Sequence, residues 1–298
     1  MECYHAVMST SPVGSARLGL GAAYGIGERG VLQAFDHGVR FFLWGALPKA
    51  DFGAGLRLLA QRHREPLRIA VQSYARRGWA VRPGVELARF RLKTDYLDWL
   101  CLANWNAPPP AEVMEAAAEL KERGLVRNLM ISCHHRPAFQ ELLGPPGWGA
   151  WMVRYNAAHR AAEQQVFPLA TGALRPAVIA YTALRWGTLL EARYAPPGEP
   201  PLTAVEAYRF VLSSPAVDLC LAGPRNEAEL AAALTAQAAG PLDAAGLARA
   251  RRVGDAAHAY GRAQPPSRLR DVLSEVPELF RSLRRDGITE HLLSRFNR

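Results

Sequence analysis

Lysine is almost missing from this sequence. Of 36 basic residues only three are lysines, Lys49, Lys93 and Lys121, and the rest are arginine. The formal net charge of +9 therefore rests on guanidinium groups. A basic balance invites nucleic acid as a partner. Here the arginines are scattered, concentrate only in the tail, and accompany many alanines. The excess reads as coding bias, and nucleic-acid binding is set aside. Cysteine is also scarce. Cys3, Cys101, Cys133 and Cys220 have no metal or redox spacing, which excludes a clustered iron–sulfur site and leaves them as small buried hydrophobes. No apolar run reaches the length of a membrane span. The start, "MECYHAVMSTSPVG", lacks a basic region followed by an apolar one, so a signal peptide is not expected and the cytoplasm is. A Gly-rich dinucleotide fingerprint is absent too: "GLGAAYGIG" matches G-x-G-x-x-G imperfectly, and no acid ends the second strand to hold a ribose. No metal site is expected, because His134, His135 and Asp51 lack a ligand spacing.

What is present is an alternation. Apolar strand-like runs ("GSARLGLG", residues 14–21, then "VRFFLW", "LRIAVQS", "YLDWLCLA", "VRNLMIS", "AWMVRYN", "PAVIAYT", "VDLCLAG") alternate with helical stretches eight times. The strands are continuously apolar, as when both faces are covered. The pattern predicts an α/β fold, a (β/α)8 TIM barrel over residues 13–263. The helix "HRAAEQQVFPLATG" should break at Pro168. A further helix, "DAAGLARARRVGDAAHAYGR", follows, and then a helical C-terminal tail over 264–298. Its apolar stripe (Leu269, Val272, Leu273, Val276) suits packing on the barrel or contact with a partner or second subunit.

A barrel of this kind places its site at the C-terminal strand ends. Those ends carry Trp44, Gln72, Asn104, Trp105 and Arg154, expected to line a substrate pocket, with Tyr155 and Tyr181 nearby. Aromatic and polar groups together suit a small-molecule ligand. Tyr74, Lys49 and His134 are the candidates for acid–base work. Arg154 has two readings. Pointing inward, it must meet an anion; pointing outward, it snorkels among the helices.

Five segments resemble the aldo-keto reductases in order. "DYLDWLCLANW" is similar to their fourth-strand D-Y-x-D motif, and "VRNLMISCHH" to the fifth-strand segment. "VRYNAAHR" is similar to the sixth strand running through Y-N. "IAYTALRWGTLL" resembles the A-Y-S-P-L segment, and "LAGPRNEAELAAAL" the eighth-strand segment. The resemblance spans about residues 15–240 and implies an NADP(H)-linked oxidoreductase. The family reduces carbonyls with a tetrad. A tyrosine is the general acid, a lysine paired with an aspartate lowers its pKa, and a histidine orients the carbonyl. This sequence departs at all four positions, with Leu43, Pro48, Gln72 and Ala103 in place of Asp, Tyr, Lys and His. The resemblance assigns the cofactor to Ser132, Tyr181, Thr182, Leu184, Gly223 and Arg225. Cys133 and Met152 replace its usual amides, and Glu229 would repel a 2′-phosphate, so binding should be weak. Two readings follow: an oxidoreductase with a non-standard mechanism, or a ligand-binding or regulatory pseudoenzyme.

Overall fold

A computed structural model describes residues 13, 16–45, 49–144 and 147–262; Pro48 and the 264–298 tail lie outside them. Eight parallel strands close into a barrel in chain order: β1 (Leu18–Gly21), β2 (Phe41–Gly45), β3 (Arg68–Ser73), β4 (Leu97–Leu102), β5 (Val126–Cys133), β6 (Ala150–Arg154), β7 (Ala177–Tyr181) and β8 (Leu219–Ala222). The helices α1 (Glu28–Asp36), α2 (Ala50–Arg62), α3 (Gly78–Leu92), α4 (Ala111–Glu122), α5 (Ala138–Glu141), α6 (Ala162–Gln165), α7 (Ala204–Leu212) and α8 (Glu227–Ala239) follow the strands in turn. A ninth helix, α9 (Ala244–Arg262), closes the described chain. The (β/α)8 expectation holds. No helix among the described residues is long and apolar enough to cross a membrane.

Two details differ from the sequence reading. The first strand covers Leu18–Gly21, whereas the sequence reading began it at residue 14, and residues 14 and 15 lie outside the described ones. After β6 only a single turn of α-helix forms, and a 3-10 turn over Phe167–Leu169 takes over at Pro168.

Strand alternation sorts the core into two layers. Phe41, Leu43, Ala70, Trp99, Cys101, Met130, Met152 and Ile179 fill the barrel interior. Phe42, Trp44, Ile69, Val71, Leu100, Ile131 and Val153 face the helices. Large interior rings sit against small partners: a Cβ on Gly19 would meet Phe41 at 3.1 Å, and one on Gly149 would meet Trp99 at 2.9 Å.

The N-terminal end of the barrel is closed by two aspartate clamps. Asp98, buried on β4, accepts the Ile69 N–H of β3 at 2.9 Å and pairs with Arg64 at 2.9 Å. Asp218, ahead of β8, accepts the Val178 N–H of β7 at 2.7 Å and takes a bidentate grip from Arg175. Each clamp ties neighbouring strands where substrate chemistry does not occur. Asp98 belongs to the D-Y-L-D segment, so that segment's second acid is structural.

Candidate active site at the barrel mouth

The inward positions nearest the C-terminal strand ends define the site. On β2 the inward side chain is Leu43, with Gly45 ending the strand, on β3 it is Gln72, and beyond β4 it is Ala103. Ser132 follows on β5, Arg154 on β6 and Tyr181 on β7. Leu43 and Ala103 are buried. The wall under the mouth, with Trp99, Cys101 and Met152, is apolar.

Polar groups gather on one side, over β5, β6 and β7. Tyr181 Oη lies 3.0 Å from His134 Nδ1, and the two rings meet edge to face at 5.7 Å. Burial raises the Tyr181 phenol above its ordinary pKa, while the Arg154 charge pulls it back down. Tyr74, well exposed on the loop after β3, is close enough to Tyr181 to act on it electrostatically. Arg154 and Tyr181 are register partners across β6 and β7. Arg154 alternates with inward Ala150 and Met152, so it points into the barrel, which decides between its two sequence readings. His134 and His135 both anchor their backbone N–H groups on Asn106 Oδ1, and only His134 is bonded to Tyr181.

Other sequence candidates lie elsewhere or are already engaged. Trp44 faces away from the mouth, buried between β2 and α2; a Cβ on Gly53 would meet its ring at 2.6 Å. The alternation that points Leu43 inward forces Trp44 outward. Lys49 stands at the N-terminus of α2, where its carbonyl accepts the Trp44 indole N–H at 3.0 Å. Trp105 packs toward the helix layer, with Arg76 over its ring at 4.5 Å. Arg76 also donates to the carbonyls of Ala103 and Asn104, at 3.1 Å each. Asn104 has a φ of 58° and donates its N–H to Ser132 Oγ at 2.8 Å. Leu184 packs against the outer core. Thr182, φ 60°, donates its hydroxyl to the Tyr181 carbonyl at 2.7 Å. Gly223 permits a close approach, since a Cβ there would meet the Tyr24 ring at 2.7 Å. Arg225 is held by Glu229 in an ion pair of 2.7 Å, reinforced through its own backbone N–H at 2.8 Å. Burial raises the Glu229 carboxyl's pKa, but the several Arg225 contacts together outweigh it and leave the group below its ordinary value.

Sequence reading missed three mouth residues: His159, Arg185 and Asn156. Asn156 is fully buried and ties the loop after β6 to the loop after β7 by donating to the Thr182 carbonyl at 2.8 Å. His159 is pushed down to about 3 by burial first, then by Arg154, Arg185, His258 and Arg136. Arg185 has a φ of 49°, in a loop where Trp186 is also left-handed. Side chains convergent from three loops leave no periodic signal in a sequence. The nearest hint was "TALRW", a loop with no glycine until Gly187.

Comparison with known proteins fits this architecture. Residues 70–205 match the sequence model of the aldo/keto reductase family. No curated protein matches the chain in sequence. Among solved structures, the holo form of aldo-keto reductase AKR11C1 from Bacillus halodurans superposes with a TM-score of 0.68. It is 21% identical, over 80% of this chain and 91% of that one. An aldo/keto reductase from Klebsiella pneumoniae, in complex with NADP and acetate, gives 0.65 at 19% identity, over 84% and 92%. A second Klebsiella pneumoniae structure, in complex with NADPH, gives 0.66 at 19% over the same shares. The segment from β3 to the start of α7 thus carries the sequence pattern of the aldo/keto reductase family, on a barrel with the fold of solved aldo-keto reductases.

Proposed function

We propose that this protein is an aldo-keto-reductase-like barrel that binds a small molecule at its mouth and does not reduce carbonyls through the family's usual tetrad. One observation carries the reading. The inward positions toward the ends of β2, β3 and β4 are Leu43 and Gly45, Gln72, and Ala103, none of them ionisable. A phenol needs a nearby cation to work as an acid near neutrality, and these positions supply neither the cation nor its anchoring carboxylate.

NADP(H), bound by the Klebsiella proteins, fits these residues poorly. Ser132 Oγ is taken by the Asn104 N–H and the Thr182 hydroxyl by the Tyr181 carbonyl. Glu229 holds Arg225 and adds a negative charge where a phosphate would lie by resemblance. Cys133 and Met152 offer buried sulfur where a carboxamide wants amide partners. Weak binding is the expectation, and no hydride step is assigned.

The contact between Tyr181 and His134 favours a second reading, an oxidoreductase with a non-standard proton donor. A phenol kept protonated by burial, joined to an imidazole, can donate to an alkoxide and be recharged from the ring.

Titrating the purified protein with NADPH, followed by fluorescence and by NADPH consumption with a panel of carbonyls, separates the two. The ligand-binding reading expects no carbonyl-dependent consumption. Consumption that His134→Ala removes would overturn it in favour of the second.

A further inference from the structure

We propose that the barrel mouth between β6, β7 and α9 is a binding subsite for an oxyanion, the phosphate group of a small ligand, gripped by Arg154 with Arg185 and Arg136 around it. The inference rests on the ligand-binding reading and names the chemistry of its ligand.

The first observation is the state of Arg154. Its side chain enters the barrel beside Tyr181. Among the described residues it makes no ion pair and no hydrogen bond, and its Nε is buried without a partner. Arg154 is half-buried, and an Nε buried without an acceptor carries a desolvation cost that a bound anion would offset.

The second observation is the company it keeps. Arg136, Arg185 and His159 all lie within electrostatic reach of Arg154 and are all disfavoured as cations by it. Arg136 has only the Gln165 amide oxygen, at 2.7 Å, and Arg185 only the Ala257 carbonyl of α9. Neither partner carries charge. The acids of this quarter are committed elsewhere: Glu163 to Arg251 and the Tyr155 hydroxyl, Asp255 to Arg160, Glu206 to Arg249. Three arginines thus stand within electrostatic reach of one another, and none of them makes an ion pair among the described residues, while Arg160, Arg249 and Arg251 are paired.

The third observation is the backbone. Thr182, Arg185 and Trp186 all have positive φ, a conformation that ordinary side chains adopt at a cost and that clusters at ligand sites. The loop that presents Arg185 is held there by Asn156. The floor of the subsite, Met152 and Ile179, is apolar, which strengthens a charge–charge contact above it. Guanidinium forks match phosphate oxygens two at a time, which is why this residue type suits that anion.

The test uses the full chain and inorganic phosphate, compared with chloride at equal ionic strength. Phosphate should raise the melting temperature saturably in the millimolar range or below. Arg154→Gln should weaken phosphate at least about tenfold, the loss of one charge-assisted contact. It should also leave the phosphate-free protein as stable as the wild type or more so, because an uncompensated charge is removed. A structural arginine would behave oppositely, losing stability with no change in phosphate response. Arg252→Gln, on the outer face of α9, should titrate like the wild type. Repeating the titration with NADPH distinguishes the source. If NADPH competes with phosphate and Arg154→Gln weakens both, the subsite holds a dinucleotide's phosphates. If only phosphate and sugar phosphates respond, it holds a free phosphoryl ligand. Wild-type protein indifferent to phosphate, or Arg154→Gln binding it unchanged, overturns the subsite. Carbonyl-dependent NADPH oxidation with phosphate binding intact overturns only the functional reading beneath it.

Discussion

Asn156 Nδ2 donates to the Thr182 carbonyl at 2.8 Å, and the same side chain accepts the backbone N–H groups of Ala158 at 3.0 Å and His159 at 2.9 Å. One buried amide therefore holds two mouth loops, one of them left-handed at Thr182. Asn156→Ala takes the partner from the Ala158 N–H and the Thr182 carbonyl, while the His159 N–H keeps the Asn156 carbonyl at 3.0 Å, and each such loss costs on the order of 1–3 kcal/mol. We expect a destabilisation of about 3 kcal/mol in urea unfolding, with the slope unchanged. A loss below about 0.5 kcal/mol would mean that water replaces the amide and the clamp is dispensable.

The clamp at the other end of the barrel has a different character. Asp98 is almost fully buried, with Arg64 at 2.9 Å and the Ile69 N–H at 2.9 Å. Removing one partner of a buried pair leaves the other charge uncompensated and costs about 3–5 kcal/mol. Asp98→Ala should lower the melting temperature by roughly 10 °C. Combining it with Arg64→Leu should recover part of that loss, and strictly additive effects in the double-mutant cycle would show that the two side chains are not coupled. Ligand binding at the mouth should survive in any Asp98 variant that folds.

His159 gives a pH signature. Burial and the surrounding cations push it down to about 3 in the folded protein. In the unfolded chain it titrates near its ordinary value of about 6.5. The unfolded state thus binds a proton first as pH falls, so His159 stabilises fully above about 6.5 and loses that contribution on the way down toward 3. Since the residue is partly exposed, the slope should stay below the limit of about 1.4 kcal/mol per pH unit. Melting temperatures between about pH 7 and pH 5 should fall more steeply for the wild type than for His159→Gln. Parallel curves would show that His159 is protonated in the folded protein.

Much of this architecture is legible from the chain alone. Eight apolar runs, each followed by a helical stretch, leave few arrangements that cover every strand on both faces, and the barrel is the one the order of elements favours. The motif around Tyr155 and Asn156 marks the sixth strand end, and "IAYTAL" marks the seventh. Trp44 illustrates the limit. Its place at a strand end is plain in the sequence, yet its direction depends on the register that turns Leu43 inward.

The sequence by itself determined the barrel, the strand ends, and the presence of Leu43, Pro48, Gln72 and Ala103 at the positions where the resemblance places a tetrad, because residue identity and periodicity are local properties. Only the tertiary structure decided that Arg154 turns inward, that Arg136, Arg185 and His159 come within its electrostatic reach, and that His134 meets Tyr181. Those relationships join residues on separate loops, from Arg136 before α5 to Arg185 after β7, and convergence of that kind exists only once the sheet has closed.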